Sequence, residues 1–142
     1  MTPIRYFDLE ELLYSGTAIQ KGISNAPSWT VVEHLHQLAL FLDGVRDAWG
    51  SGIRCSSGFR CQKLNTAVGG ATRSAHLVGF AADIVPMNGK MNEFEAFLKD
   101  YLKDKQFDEC LWESKGKSRW VHLSIYSIDG KQRRKMFGIT AK

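Results

Sequence analysis

The chain has 142 residues, of which 44% are hydrophobic and 24% charged, and a formal net charge of +4. That balance belongs to a globular protein able to bury a core without covalent staples, so one domain over residues 1–142 is expected. No apolar run approaches the roughly 20 residues of a membrane span, and the positive charge is modest and scattered. It permits attraction to an acidic polymer but forms no basic run of the kind a nucleic-acid partner would need. Cys55, Cys61 and Cys110 make an odd count, which rules out a complete disulfide framework; buried free thiols are expected. Residues 1–5 lack the basic and apolar segments of a signal peptide, so the chain is expected to stay in the cytoplasm as synthesised.

In chain order, Phe7–Tyr14 reads as a short helix and Ser15–Ser28 as a polar loop. Val32, Leu35, Leu38, Leu42, Val45 and Trp49 step by three and four, which predicts a long amphipathic helix. Ser28 or Thr30 can cap its start, and Gly50 with Gly52 ends it. A strand is predicted at Ile53–Ser56, one or two helical turns at Gln62–Val68, and another strand at Ala81–Val85. A second amphipathic helix opens near Asn92 and carries Phe94, Phe97, Leu98, Tyr101 and Leu102. Strands are then predicted at Glu109–Glu113, Trp120–Ile125 and Lys135–Ile139, the last two joined as a hairpin through Asp129-Gly130. No repeat or linker interrupts this order. Helices first and strands later imply an α+β domain with a small, mostly antiparallel sheet and helices packed on it.

The segment Ser74-Ala-His76-Leu-Val-Gly79-Phe-Ala81-Ala-Asp83 supplies an imidazole and a carboxylate separated by small residues, and Trp120-Val-His122-Leu-Ser124 supplies a second imidazole. Alternation in a strand puts Trp120, His122 and Ser124 on one face, with the apolar Val121, Leu123 and Ile125 on the other. Two neutral imidazoles and one carboxylate leave the fourth position of a tetrahedral Zn²⁺ open, which is a catalytic rather than a structural pattern. His34 and His36 have no carboxylate at ligand spacing and read as helix-surface residues.

Together with Ser57-Gly58-Phe59-Arg60, Leu64-Asn65-x-x-Val68-Gly69-Gly70 and Ser15-x-Thr17-Ala18 with Gly22-Ile23-x-Asn25, these motifs resemble the zinc D-alanyl-D-alanine peptidases over nearly the whole chain. That family groups D,D-carboxypeptidases, D,D-dipeptidases and phage L-alanyl-D-glutamate endopeptidases. The resemblance implies a mixed α/β fold related to the Hedgehog signalling domain. It also implies zinc held by His76, Asp83 and His122, with Arg60 as a clamp on a substrate carboxylate or oxyanion. Ser74 reads as a support for the loop or for substrate, or as a simple turn serine, and Trp120 as a cleft residue in contact with substrate. Many members place the catalytic glutamate three residues before the last histidine, and here that position is Arg119. Glu113 is the expected general base, a structural ion pair being its alternative; Asp108 is weighed as an acceptor orienting a ligand histidine.

The implied function is a monomeric zinc peptidase acting on peptidoglycan stem peptides, as a D,D-carboxypeptidase or an endopeptidase, with no nucleic-acid partner. A phage lysis or virion-associated role at the cell wall fits the missing signal segment. The alternative is a non-catalytic, zinc-containing module that binds peptidoglycan or serves structure.

Overall fold

A computed structural model describes residues 2–141; Met1, the first residue of the start read for a signal segment, and Lys142, the end of the expected domain, lie outside them. The chain forms α1 (Leu9–Leu13), α2 (Gly16–Lys21), α3 (Trp29–Trp49), β1 (Ile53–Ser57), α4 (Gln62–Ala67), a 3₁₀ turn (Ala75–Val78) and β2 (Ala81–Pro86). It continues with α5 (Met91–Tyr101), β3 (Glu109–Lys115), β4 (Ser118–Ser124) and β5 (Lys135–Ala141). This is the expected α+β architecture, with five strands in the order β1-β2-β4-β3-β5.

Two expectations need correction. The polar stretch after Tyr14 is not all loop, because α2 forms within it: the Ser15 hydroxyl accepts the Ala18 N–H, and Gly22 closes the helix in the left-handed region. Six residues are too few to show a helical period, so only the caps announce it. The second correction concerns topology. Asp129-Gly130 does form a tight turn, with Gly130 N–H donating to the Ser127 carbonyl, but β4 and β5 are not hairpin partners. β4 already has β2 on one side and β3 on the other, so β5 crosses to the free edge of β3 and pairs with it in parallel.

The long helix starts at Ser28, whose hydroxyl accepts the Val31 N–H, and ends at Gly50 with φ 78°. Its buried stripe runs from Val31 rather than Val32, through Leu35, Leu38, Leu42 and Val45. These residues join Ala82 and Ile84 of β2, Val121 and Leu123 of β4, and Phe94 and Leu98 of α5 in one apolar core. Each fully buried side chain of this size contributes about 1.5–3 kcal/mol, so the helix-facing side of the sheet is the stabilising one. Register then sets the other side: Asp83 lies opposite His122, and Leu111 opposite His122 from β3. The core pairs Ala82–Leu123 and Ile84–Val121 thus force Asp83 and His122 onto the opposite face.

His34 is not a plain surface residue. Its Nδ1 lies 2.6 Å from the Val78 carbonyl and its ring stacks on Phe80 at 3.9 Å, so it braces the segment carrying His76 from behind. His36 sits near the surface, with its Nε2 2.9 Å from the Thr2 carbonyl.

All three cysteines are free; Cys55 and Cys110 are buried, whereas Cys61 is only half-buried. Burial pushes the Cys55 thiol up to about 12, and Cys110 is raised by the same cause. Thiol titration of the native protein is expected to label Cys61 alone, with all three reacting after denaturation. Rapid labelling of two or more thiols in the native state would contradict this packing.

Candidate metal centre

The site is built from three pieces of chain. Ser74 accepts the His76 N–H at 3.1 Å and so starts the 3₁₀ turn. Gly79 ends that turn with φ 84°, where an L side chain is strained and a Cβ would stand 3.1 Å from the Val31 carbonyl. The chain then enters β2 and reaches Asp83. Strand β1 contributes through an irregularity between Cys55 and Ser57 that brings Ser57 opposite Asp83.

His76 is oriented by a 2.7 Å bond from Nδ1 to the Gly58 carbonyl. Glycine is required there, since a Cβ would come within 2.1 Å of the Leu12 carbonyl oxygen. With Nδ1 donating, Nε2 is left as the free lone pair of a neutral ring. Nε2 lies 3.2 Å from Asp83 Oδ1 and 3.2 Å from His122 Nδ1. His122 Nδ1 is 3.3 Å from the same Asp83 oxygen. Three donor atoms thus form a nearly equilateral triangle. Ligands about 2.0–2.1 Å from a tetrahedral zinc stand roughly 3.3–3.4 Å apart, so the triangle fits that ion in both donor type and spacing.

The charges are consistent with a cation site. Burial holds His76 below the ordinary histidine range, against the pull of Asp83. Burial alone would raise Asp83, but His76 and His122 more than offset it and keep the carboxylate ionised well below its usual range. His122 is raised, because Asp83, Glu113 and Glu109 together outweigh its burial. A proton is drawn to the place where a metal would sit.

The surrounding cleft, about 660 Å³, is lined by Arg60, Ser74, Glu109, Glu113 and Trp120, among others. Arg60 is tied down by Ser57 Oγ at 3.1 Å, Asn65 Oδ1 at 3.0 Å and Asp83 Oδ2 at 3.4 Å. The Asp83 carboxylate is thereby split, one oxygen toward the histidines and the other toward the guanidinium. Asn65 is buried and also donates to the Ala71 carbonyl, which explains physically why an Asn stands five residues after the Arg.

Glu113 Oε1 lies 4.0 Å from His122 Nδ1, on the metal-facing side of the ring. Burial and the charge of Asp83 raise its pKa, with His122 opposing. Arg119 is exposed and turned to α5, where it bonds Asn92 and Glu95. An odd offset from His122 puts it on the opposite face of β4, so whatever residue stood there would miss the cleft. Asp108 does not orient a histidine: its carboxylate is taken by Arg133, at 2.8 Å from Nε and 2.8 Å from Nη2. The partners that sequence reasoning missed are Asn65 and Ser57 as anchors of Arg60, and Arg133 as the partner of Asp108. No local signal links residue 133 to residue 108, since the contact depends on where β5 is placed.

No helix among the described residues is long and apolar enough to cross a membrane. No curated protein matches the chain. A family model described as Peptidase M15 matches residues 5–124, which include every strand except β5, together with the donor triangle, Arg60, Glu109 and Glu113. A match over most of the length, ending just past the second histidine, agrees with a His/Asp/His cluster that can hold a metal ion. The chain belongs to the peptidase M15 family.

Proposed function

We propose that this protein is a zinc-dependent peptidase that hydrolyses a peptide bond in the stem peptides of bacterial peptidoglycan, so that its site of action is the cell wall. The observation that carries this reading is the donor triangle of His76, Asp83 and His122 with Glu113 beside its metal-facing side, all in one cleft. A zinc ion held by those three donors supplies Lewis acidity and a water whose pKa falls to about 7. Glu113 would accept the proton of the attacking water and return it to the departing amine, from its place beside the donor triangle. Arg60 uses three of its five N–H donors on Ser57, Asn65 and Asp83, leaving two for the carbonyl oxygen as negative charge develops on it. Ser74 and Trp120 line the same cleft and are assigned to substrate contact. The stem-peptide substrate is supported by the motif resemblance to D,D-carboxypeptidases and endolysins.

Arg60→Lys is expected to retain zinc and lose turnover by about 10²–10³, because an ammonium reproduces neither the three-way anchoring nor the oxyanion contact. Near-normal hydrolysis by that variant would reduce Arg60 to a support for Asp83. The function itself is tested by incubating zinc-loaded protein with purified sacculi and reading the released ends by mass spectrometry. New amino and carboxyl ends on stem peptides, abolished by a chelator, are expected. Intact sacculi after prolonged incubation would overturn the proposal.

A further inference from the structure

His122 presents Nδ1 to the donor triangle, so the proton of the neutral ring must sit on Nε2, and that N–H needs an acceptor. The two glutamates of β3 divide on this point. Glu113 lies on the Nδ1 side, whereas Glu109 Oε1 lies 3.8 Å from Nε2. Alternation puts both on the cleft face of β3, flanking Leu111, which stands opposite His122. Only Glu109 is behind the ring as seen from the triangle.

Glu109 is itself held from two directions. Its backbone N–H donates to Ser124 Oγ at 3.0 Å. Its second carboxylate oxygen lies 3.7 Å from Arg133 Nη2. Arg133 is clamped in turn by the buried Asp108, through Nε, Nη2 and its own backbone N–H at 3.1 Å. Among the described residues the Glu109 carboxylate accepts no hydrogen bond shorter than 3.5 Å, although its side chain is only 23% exposed. A largely covered carboxylate without a direct donor, between an imidazole and a guanidinium, has unused acceptor capacity aimed at that imidazole.

We propose that Glu109 is the positioning residue of the metal site, taking the Nε2–H of His122 while the Asp108–Arg133 pair holds it in place. This rests on the metal-site reading above. A separation of 3.8 Å is an ion-pair distance rather than a hydrogen bond, and contacts of this kind commonly tighten once a site is filled. The role is distinct from proton transfer, since Glu109 lies on the side of the ring away from the reacting centre. It also gives β5 and the loop before it, which lie beyond the family match, a task in holding a metal ligand.

The test measures the zinc dissociation constant by competition with a chromophoric chelator, together with the melting temperature of the metal-free protein. Glu109→Ala is expected to weaken zinc binding by about 10–100-fold with an unchanged metal-free melting temperature. Glu109→Gln, whose amide oxygen still accepts from Nε2–H, is expected to fall between Ala and wild type, and Glu113→Gln to bind as wild type does. Affinity of the Ala variant within twofold of wild type would overturn the proposal. So would equal losses in Ala and Gln, or a matching fall in the metal-free melting temperature. The measurement uses zinc alone, so intact sacculi alongside the expected affinity pattern would remove the peptidase reading and leave the positioning role standing.

Discussion

Glu113→Gln is expected to keep the fold and bind close to one zinc per chain, yet lose hydrolysis of stem peptides by about 10²–10⁴-fold. The substitution preserves size and hydrogen-bonding reach but removes the basic oxygen that takes a proton. It leaves Asp83, His76 and His122 untouched, and Glu113 itself stands 4.0 Å from the donor atom of His122. Zinc stoichiometry and turnover should therefore separate cleanly. If Glu113→Gln remained active while Glu109→Gln lost activity at full zinc occupancy, the two glutamates of β3 would have to exchange roles.

Removal of a ligand acts differently. His122→Ala is expected to drop zinc from about one per chain to near zero, with complete loss of hydrolysis. Two donors remain, and a catalytic site needs three protein ligands to hold the ion at neutral pH. A chelator acting on the wild-type protein should mimic the variant in stability as well. An ion that binds only the folded chain at a hundredfold excess over its Kd contributes about 2.7 kcal/mol, or roughly 5–10 °C in melting temperature for a chain of this length. Undiminished zinc in His122→Ala, or no shift with chelator, would move the metal away from these residues.

How the glutamates differ shows the limits of local reading. Strand alternation alone places Glu109 and Glu113 on one face of β3 and His122 on the matching face of β4. It does not say which nitrogen of His122 each meets. That depends on the ring's rotation, which the structure sets through the 3.2 Å approach of Nδ1 to His76. Arg60 is a similar case. Its motif marks it as a site residue, but its ties to Asn65 and to the outer oxygen of Asp83 come from the packing of α4 against the turn that carries His76.

From the sequence alone, the α+β class, the hydrophobic stripe of α3 and the candidate metal ligands His76, Asp83 and His122 were legible. The first two rest on periods of 3.6 and 2 and on caps; His76 and Asp83 share a compact motif with the small residues Gly79 and Ala81, whereas His122 joined them through its strand face and the family resemblance. The tertiary structure alone decided the position of β5, the bracing of the site by His34, and the Asp108–Arg133–Glu109 arm. The physical reason is common to these. A turn such as Asp129-Gly130 specifies a local reversal, but the strand that follows pairs wherever an edge is free, and with β2 and β3 already flanking β4 the only such place beside this hairpin was the far side of β3.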